Sequence, residues 1–138
     1  MLSKQGNDGV YEFSQALTGD ERLPFANIEL DAGRWVSALF DAKPGVKLIG
    51  CSEMLSWNEW LQRWAARNCV QAQFSQCSDE THMGFMGGTG AIVLPAIRFV
   101  AEYGMAGGDS EAVMPGDIGA GASTVAEAMA GLDWSAIL

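Results

Sequence analysis

The chain has 138 residues, 49% of them hydrophobic and 18% charged, with a formal net charge of −9. That length suits one domain with one core. The acidic balance excludes nucleic acid, whose phosphates are met by lysine and arginine, and an anionic membrane surface.

No uninterrupted apolar run approaches the ~20 residues of a membrane span, and the start, MLSKQGNDGVYEF, lacks the apolar core of a signal peptide. Three cysteines, Cys51, Cys69 and Cys77, are an odd count without metal-ligand spacing, which predicts reduced thiols in a cytoplasmic protein. Mean hydropathy is +0.08, an apolar excess that points to a face covered by a partner, a second copy or a greasy ligand.

Residues 1–9 are polar and predict a frayed start. Val10-Tyr11-Glu12-Phe13 alternates as a short strand does. Leu23 to Leu30 reads as an extended run, after which Asp31 can cap a helix carrying Trp35, Val36, Leu39 and Phe40 on one stripe. Lys43-Pro44-Gly45 ends that helix, and Val46 to Cys51 is a strand candidate. Ser56-Trp57-Asn58-Glu59 is a capping box, in which the serine oxygen accepts from the N3 amide and the glutamate reaches back. Trp57, Trp60, Leu61 and Trp64 then share one helical face, each indole offering about 150–250 Å² to bury. Val70 to Phe74 alternates again and predicts a half-buried strand.

The stretch from Gly87 to Gly108, GGTGAIVLPAIRFVAEYGMAGG, is the one around which the rest is expected to be arranged. It predicts a helix from about Pro95 to Tyr103, preceded by a turn from Thr89 and buried on most sides because it is apolar all round. Pro95 suits a first turn, and Gly104 supplies a left-handed stop. GGTGAI resembles the glycine-rich turn of a dinucleotide-binding fold, but that turn follows a strand. DETHMGFM, which precedes it here, does not read as one. Gly107 to Gly121 is a glycine-rich acidic loop. Thr124 and Glu127 form a second capping box, opening a helix with Val125, Ala128, Met129 and Leu132 and with Trp134 near its end. The sum is an α+β chain, a single domain over residues 1–138, with a short mixed sheet of about four strands packed by about four helices.

Four landmarks occur in an order similar to the C-terminal, substrate-binding half of the NmrA-like family of atypical short-chain dehydrogenases. They are Ile28-Glu29-Leu30-Asp31-Ala32-Gly33-Arg34-Trp35-Val36, Ser56-Trp57-Asn58-Glu59, Phe99-Val100-Ala101-Glu102-Tyr103-Gly104, and Asp133-Trp134 in the closing segment. Family members begin with a nucleotide-binding domain carrying a Gly-x-x-Gly-x-x-Gly turn, which the stretch before Gly9 does not contain. The resemblance therefore implies a chain without NAD(P) hydride transfer and without a cofactor. It also implies an apolar face where the other half packs in the family, and hence a homodimer.

Residues able to move protons are few. His82 is the sole histidine, with Asp79 three positions before it, so it reads either as a general acid or base oriented by Asp79 or as a surface histidine in a polar turn. Glu102 and Tyr103 offer a shifted carboxyl and an oxyanion donor if they line an apolar pocket, or a solvated helix end if they do not. Glu53 follows a strand end, a place for ligands in open α/β sheets or for a solvated loop. Trp57 and Trp60, with Phe85 and Phe99, can pack a substrate, although the indole stripe equally reads as core. No metal set is present in the sequence pattern. These residues predict a cofactor-independent enzyme of isomerase, cyclase or dehydratase type, acting by acid–base chemistry on a hydrophobic polycyclic or polyketide-like metabolite in natural-product biosynthesis. The alternatives are a non-catalytic ligand-binding or regulatory protein, and a partial NAD(P)-dependent oxidoreductase that needs a nucleotide-binding partner.

Overall fold

A computed structural model describes residues 2–5 and 9–138. Strand β2 (Val10–Gln15) is central to a three-stranded sheet, with β1 (Leu2–Gln5) antiparallel on one side and β6 (Ala72–Gln76) parallel on the other. The alternation read at Val10–Phe13 is the cause: Tyr11 and Phe13 turn inward and are buried, as a period of two requires. Residues 2–5 thus form a strand where a frayed start was expected; the rest of that stretch up to residue 8 lies outside the described residues.

In place of the single mixed sheet expected from sequence, the described residues form three small sheets. Besides β1-β2-β6, β3 (Leu23–Phe25) pairs antiparallel with β5 (Glu53–Leu55), and β4 (Lys47–Leu48) pairs parallel with β7 (Ala112–Val113). The longer strand expected over Val46–Cys51 shrinks to β4, because its partner β7 offers only two residues to pair. The helices are α1 (Ile28–Asp41), α2 (Trp57–Asn68), α3 (Asp79–Met86), α4 (Gly90–Tyr103) and a short α5 (Val125–Ala130). The fold is α+β.

Both capping boxes form as the sequence implies. Glu59 N donates to Ser56 Oγ and Ser56 N to the Glu59 carboxylate, and Thr124 with Glu127 repeats the pattern at α5. Behind the first box, α2 delivers Trp64 into the centre of the core with no exposure, edge-on to Tyr11 at a centroid distance of 5.3 Å. Leu61, Leu55, Phe13, Val125 and Met129 complete that cluster.

Asp31 does not cap α1. The helix begins earlier, at Ile28, and Asp31 lies inside it with no exposure. Its carboxylate accepts from Ser52 Oγ at 2.6 Å, from Ser123 Oγ at 2.7 Å and from Ser123 N at 2.9 and 3.0 Å. Arg34, one turn on, reaches the same carboxylate at 3.4 Å. Burial pushes the Asp31 carboxyl up, but the bonds from Ser52 and Ser123 and the Arg34 charge outweigh it and hold the group below its ordinary range. Three segments distant in sequence are joined at this carboxylate.

The apolar helix α4 departs most from expectation. It starts at Gly90, so Pro95 is interior, and only Gly90 and Leu94 are buried. The core has formed around Trp64, and α4 lies outside it, packed on α3. Gly90 makes that packing possible: a Cβ there would sit 2.6 Å from Met83 Cα of α3. Glycine at 87 takes a φ of +57° and breaks the helical run. The stretch Asp79–Tyr103 has the length and hydropathy of a membrane span, unlike any uninterrupted apolar run. Here it is folded into two helices that pack on each other. The α1 stripe also stays largely outside: Trp35 is buried, while Val36, Leu39 and Phe40 are exposed.

Asp31→Ala strands the Ser123 amide and two hydroxyls, and is expected to cost about 3–5 kcal/mol. The exposed Glu29→Ala on the same turn should stay within about 0.5 kcal/mol. Urea unfolding measures both, and a loss below about 1 kcal/mol for Asp31→Ala would show that the network is dispensable. Gly90→Ala forces a methyl into the α3 backbone and should cost about 1–3 kcal/mol in the same assay.

Candidate functional site

The sequence between the first sheet and α2 prepares one wall of a groove. Arg22 holds β3 against α2 through a two-pronged contact with the Glu59 carboxylate and a bond to Met54 O. This places Phe25 edge-on to Trp57, with centroids 5.0 Å apart and planes at 82°. Helix α4 supplies the facing wall with Ile92, Val93, Ala96, Ile97 and Val100, positions spaced so that they share one helical face. Met105, beyond the Gly104 stop, closes one end, and Leu23 and Pro24 extend the β3 wall. The groove encloses about 390 Å³, and among the described residues no ionisable side chain lines it. Ile92 and Met105 are 75% and 59% exposed, so it opens to solvent along α4.

A smaller cavity lies on the other side of Phe25. It holds about 130 Å³ and is walled by Trp60, Trp134, Val125, Met129 and Leu132, with Asn27, Ser52 and Thr124 as its polar lining. Trp60 and Trp134 meet edge to face at 6.4 Å and 69°. Phe25 borders both spaces.

The expected proton-transfer residues do not converge. His82 is on α3 rather than in a polar turn, and it is 3% exposed, with neither ring nitrogen hydrogen-bonded among the described residues. It lines neither space. Asp79 does not orient it, because its carboxylate pairs with Arg98 of α4. Glu53 is structural: one oxygen accepts from Val125 N at 3.0 Å and the other pairs with Arg63 at 2.7 Å, so it anchors the start of α5. Burial pushes the Glu53 carboxyl up, but the Val125 amide and the Arg63 contact hold it below its usual range.

Glu102 and Tyr103 are exposed at the end of α4, between the groove residues Val100 and Met105. Hydrogen bonding to Glu102 raises the Tyr103 phenol above its usual value. Among the aromatic candidates, Trp57 lines the groove and Trp60 the cavity, whereas Phe85 and Phe99 line neither. Phe99 meets Tyr103 at 5.2 Å with the rings tilted by 40°, away from the groove lining. Among the described residues, no group of three His, Cys, Asp or Glu side chains is placed to hold a metal. The glycine run forms a short 3-10 turn, Gly87–Thr89, between two helices, and DETHMGFM before it is α3. The residues missed from sequence are the inner face of α4. An all-round apolar helix does not show which side faces a void, and its sequence predicts core on every side.

No protein-family model and no curated protein matches the chain. Among solved structures it is similar to a crystal structure of a doubly substituted NmrA, with 18% identity and a TM-score of 0.52. The match covers 93% of this chain and 42% of that one. The chain therefore has an NmrA-like fold and spans less than half the length of that structure.

Burial holds the His82 imidazole below its ordinary value of 6.5, against an opposing pull from Asp79. Between that lowered value and 6.5 the unfolded chain binds the proton and the folded chain does not, so stability falls as pH drops through this window. Urea midpoints from about pH 8 to about pH 5 should show this decline, and His82→Leu should flatten it above the carboxylate range. An unchanged slope in His82→Leu would assign the decline to other groups.

Proposed function

We propose that this chain binds an apolar, polycyclic or polyketide-like small molecule in the groove between β3 and α4, as the substrate-binding half of an NmrA-like fold. The observation that carries this reading is the groove itself. Its volume falls in the usual range of ligand sites, about 300–1,000 Å³, and its walls are apolar from Leu23 to Met105 with Trp57 and Phe25 as flat surfaces. A ligand with charges would find no partner along those walls, whereas fused rings would find two aromatic edges and a helix of methyl groups. The match to 42% of the longer NmrA chain supports reading this chain as similar to a part of that fold.

Acid–base chemistry is the second reading, and one observation favours it: Glu102 and Tyr103 are hydrogen-bonded to each other in the chain segment between the groove residues Val100 and Met105, although neither lines the groove itself. An isomerisation or dehydration would use Glu102 as base and the Tyr103 phenol as donor to the developing oxyanion. Both of these steps are redox-neutral. Self-association as a homodimer is part of the proposal, supported by the apolar side chains that α1 and α4 leave in solvent, Phe40 at 85% and Ile92 at 75%.

Aminoanthracene, a neutral fused-ring fluorophore, tests the groove. Trp57→Ala should weaken its binding about tenfold or more, the worth of ~1.4 kcal/mol, and Ala96→Trp, which fills the groove from an exposed position, should abolish it. Phe40→Ala on α1 should leave it unchanged. Binding that survives Ala96→Trp overturns the proposal.

A further inference from the structure

We infer that the smaller cavity is a second, separate binding site for a single-ring aromatic molecule with one hydrogen-bonding substituent, the phenol class. Size sets the first limit. The cavity holds about 130 Å³, and an apolar cavity of about 150 Å³ takes one benzene ring and stays dry without it. A fused-ring molecule of the kind proposed for the groove does not fit.

The walls set the second limit. Trp60 and Trp134, inclined at 69°, offer one ring face and one ring edge to the same space, an arrangement that suits a third ring stacked or edge-on. The Trp134 orientation is fixed, because its Nε1 donates to Met129 O at 3.1 Å. Met129 itself is buried and lines the space, and a thioether beside a ring is a favourable contact. Leu132, 55% exposed, stands where a ligand would enter.

The polar lining sets the third. Ser52 Oγ is used twice, donating to Asp31 and accepting from Asn27 N. Thr124 Oγ1 is used by Glu127 in the capping box. The Asn27 side chain is left: it makes no cap bond to α1, and among the described residues its amide has no hydrogen-bond partner. It can both donate and accept, so it meets one hydroxyl or carbonyl on the ligand. Among the described residues no cationic side chain lines the cavity, and Ser52 links it directly to the Asp31 carboxylate. A carboxylate ligand is therefore disfavoured and a neutral one preferred.

Phenol and toluene, similar in size and differing in the hydroxyl, are the probes, and the indole N–H resonances of Trp60 and Trp134 are the readout. Phenol should shift both saturably. Asn27→Ala should weaken phenol about fivefold, the worth of one neutral hydrogen bond, and leave toluene unchanged. Ala128→Leu, which fills the cavity from α5, should abolish both while aminoanthracene binding in the groove persists. Absence of saturable shifts, shifts that survive Ala128→Leu, or equal loss of phenol and toluene in Asn27→Ala overturns the assignment. None of these outcomes bears on the groove, which Trp57 reports independently.

Discussion

A carboxylate with no solvent exposure holds this fold in register. Asp31 is tolerable in the interior only because two serines and a backbone amide saturate its oxygens and Arg34 stands at its edge. Ser52 and Ser123, which supplies both a hydroxyl and the amide, come from two parts of the chain distant from α1. Ser52 fixes the approach to β5, and through its bond from Asn27 N it fixes the start of α1. Ser123 fixes the chain that enters α5, 92 residues from Asp31. Phe25, two residues before Asn27, packs on Trp57 of α2 and borders both the groove and the cavity.

Helix α2 divides the resulting space. Its three indoles occupy one broad face, yet they meet three environments. Trp64 is core, against Tyr11 and Trp134. Trp60 faces the cavity and Trp57 the groove, with the two rings edge to face at 5.8 Å. An aromatic partition of this sort is stiff, because each ring is wedged by its neighbours. Two voids of different size and polarity can persist side by side on such a wall.

The sequence made legible what depends on local chemistry. Both capping boxes, the start of α2, the inward Tyr11 and Phe13, and the turn at Gly104 follow from short spacings that no tertiary contact needs to decide. Positions settled by distant partners were not legible. Asp31 looks like a helix cap because a carboxylate before an apolar stripe usually is one, and nothing nearby in sequence announces Ser123. His82 looks like a polar-turn residue because Asp79, Glu80 and Thr81 precede it, but the helix those residues begin turns the imidazole inward. The apolar α4 looks like a core element because hydropathy records composition and not direction. The core was already filled by α2 and β2, so α4 became a wall with an open side. Glu102 and Tyr103 close that helix, as the Gly104 stop predicts.

The central claim is that the inner face of α4 and β3 form one ligand site. Amide chemical-shift mapping of the uniformly labelled protein with aminoanthracene tests it most directly. Binding in the groove confines the perturbed residues to Leu23–Phe25, Trp57 and the Ile92–Val100 face, with Met105 at the end. Perturbations centred on the exposed face of α1 around Val36 and Phe40, with β3 and Trp57 silent, would contradict it.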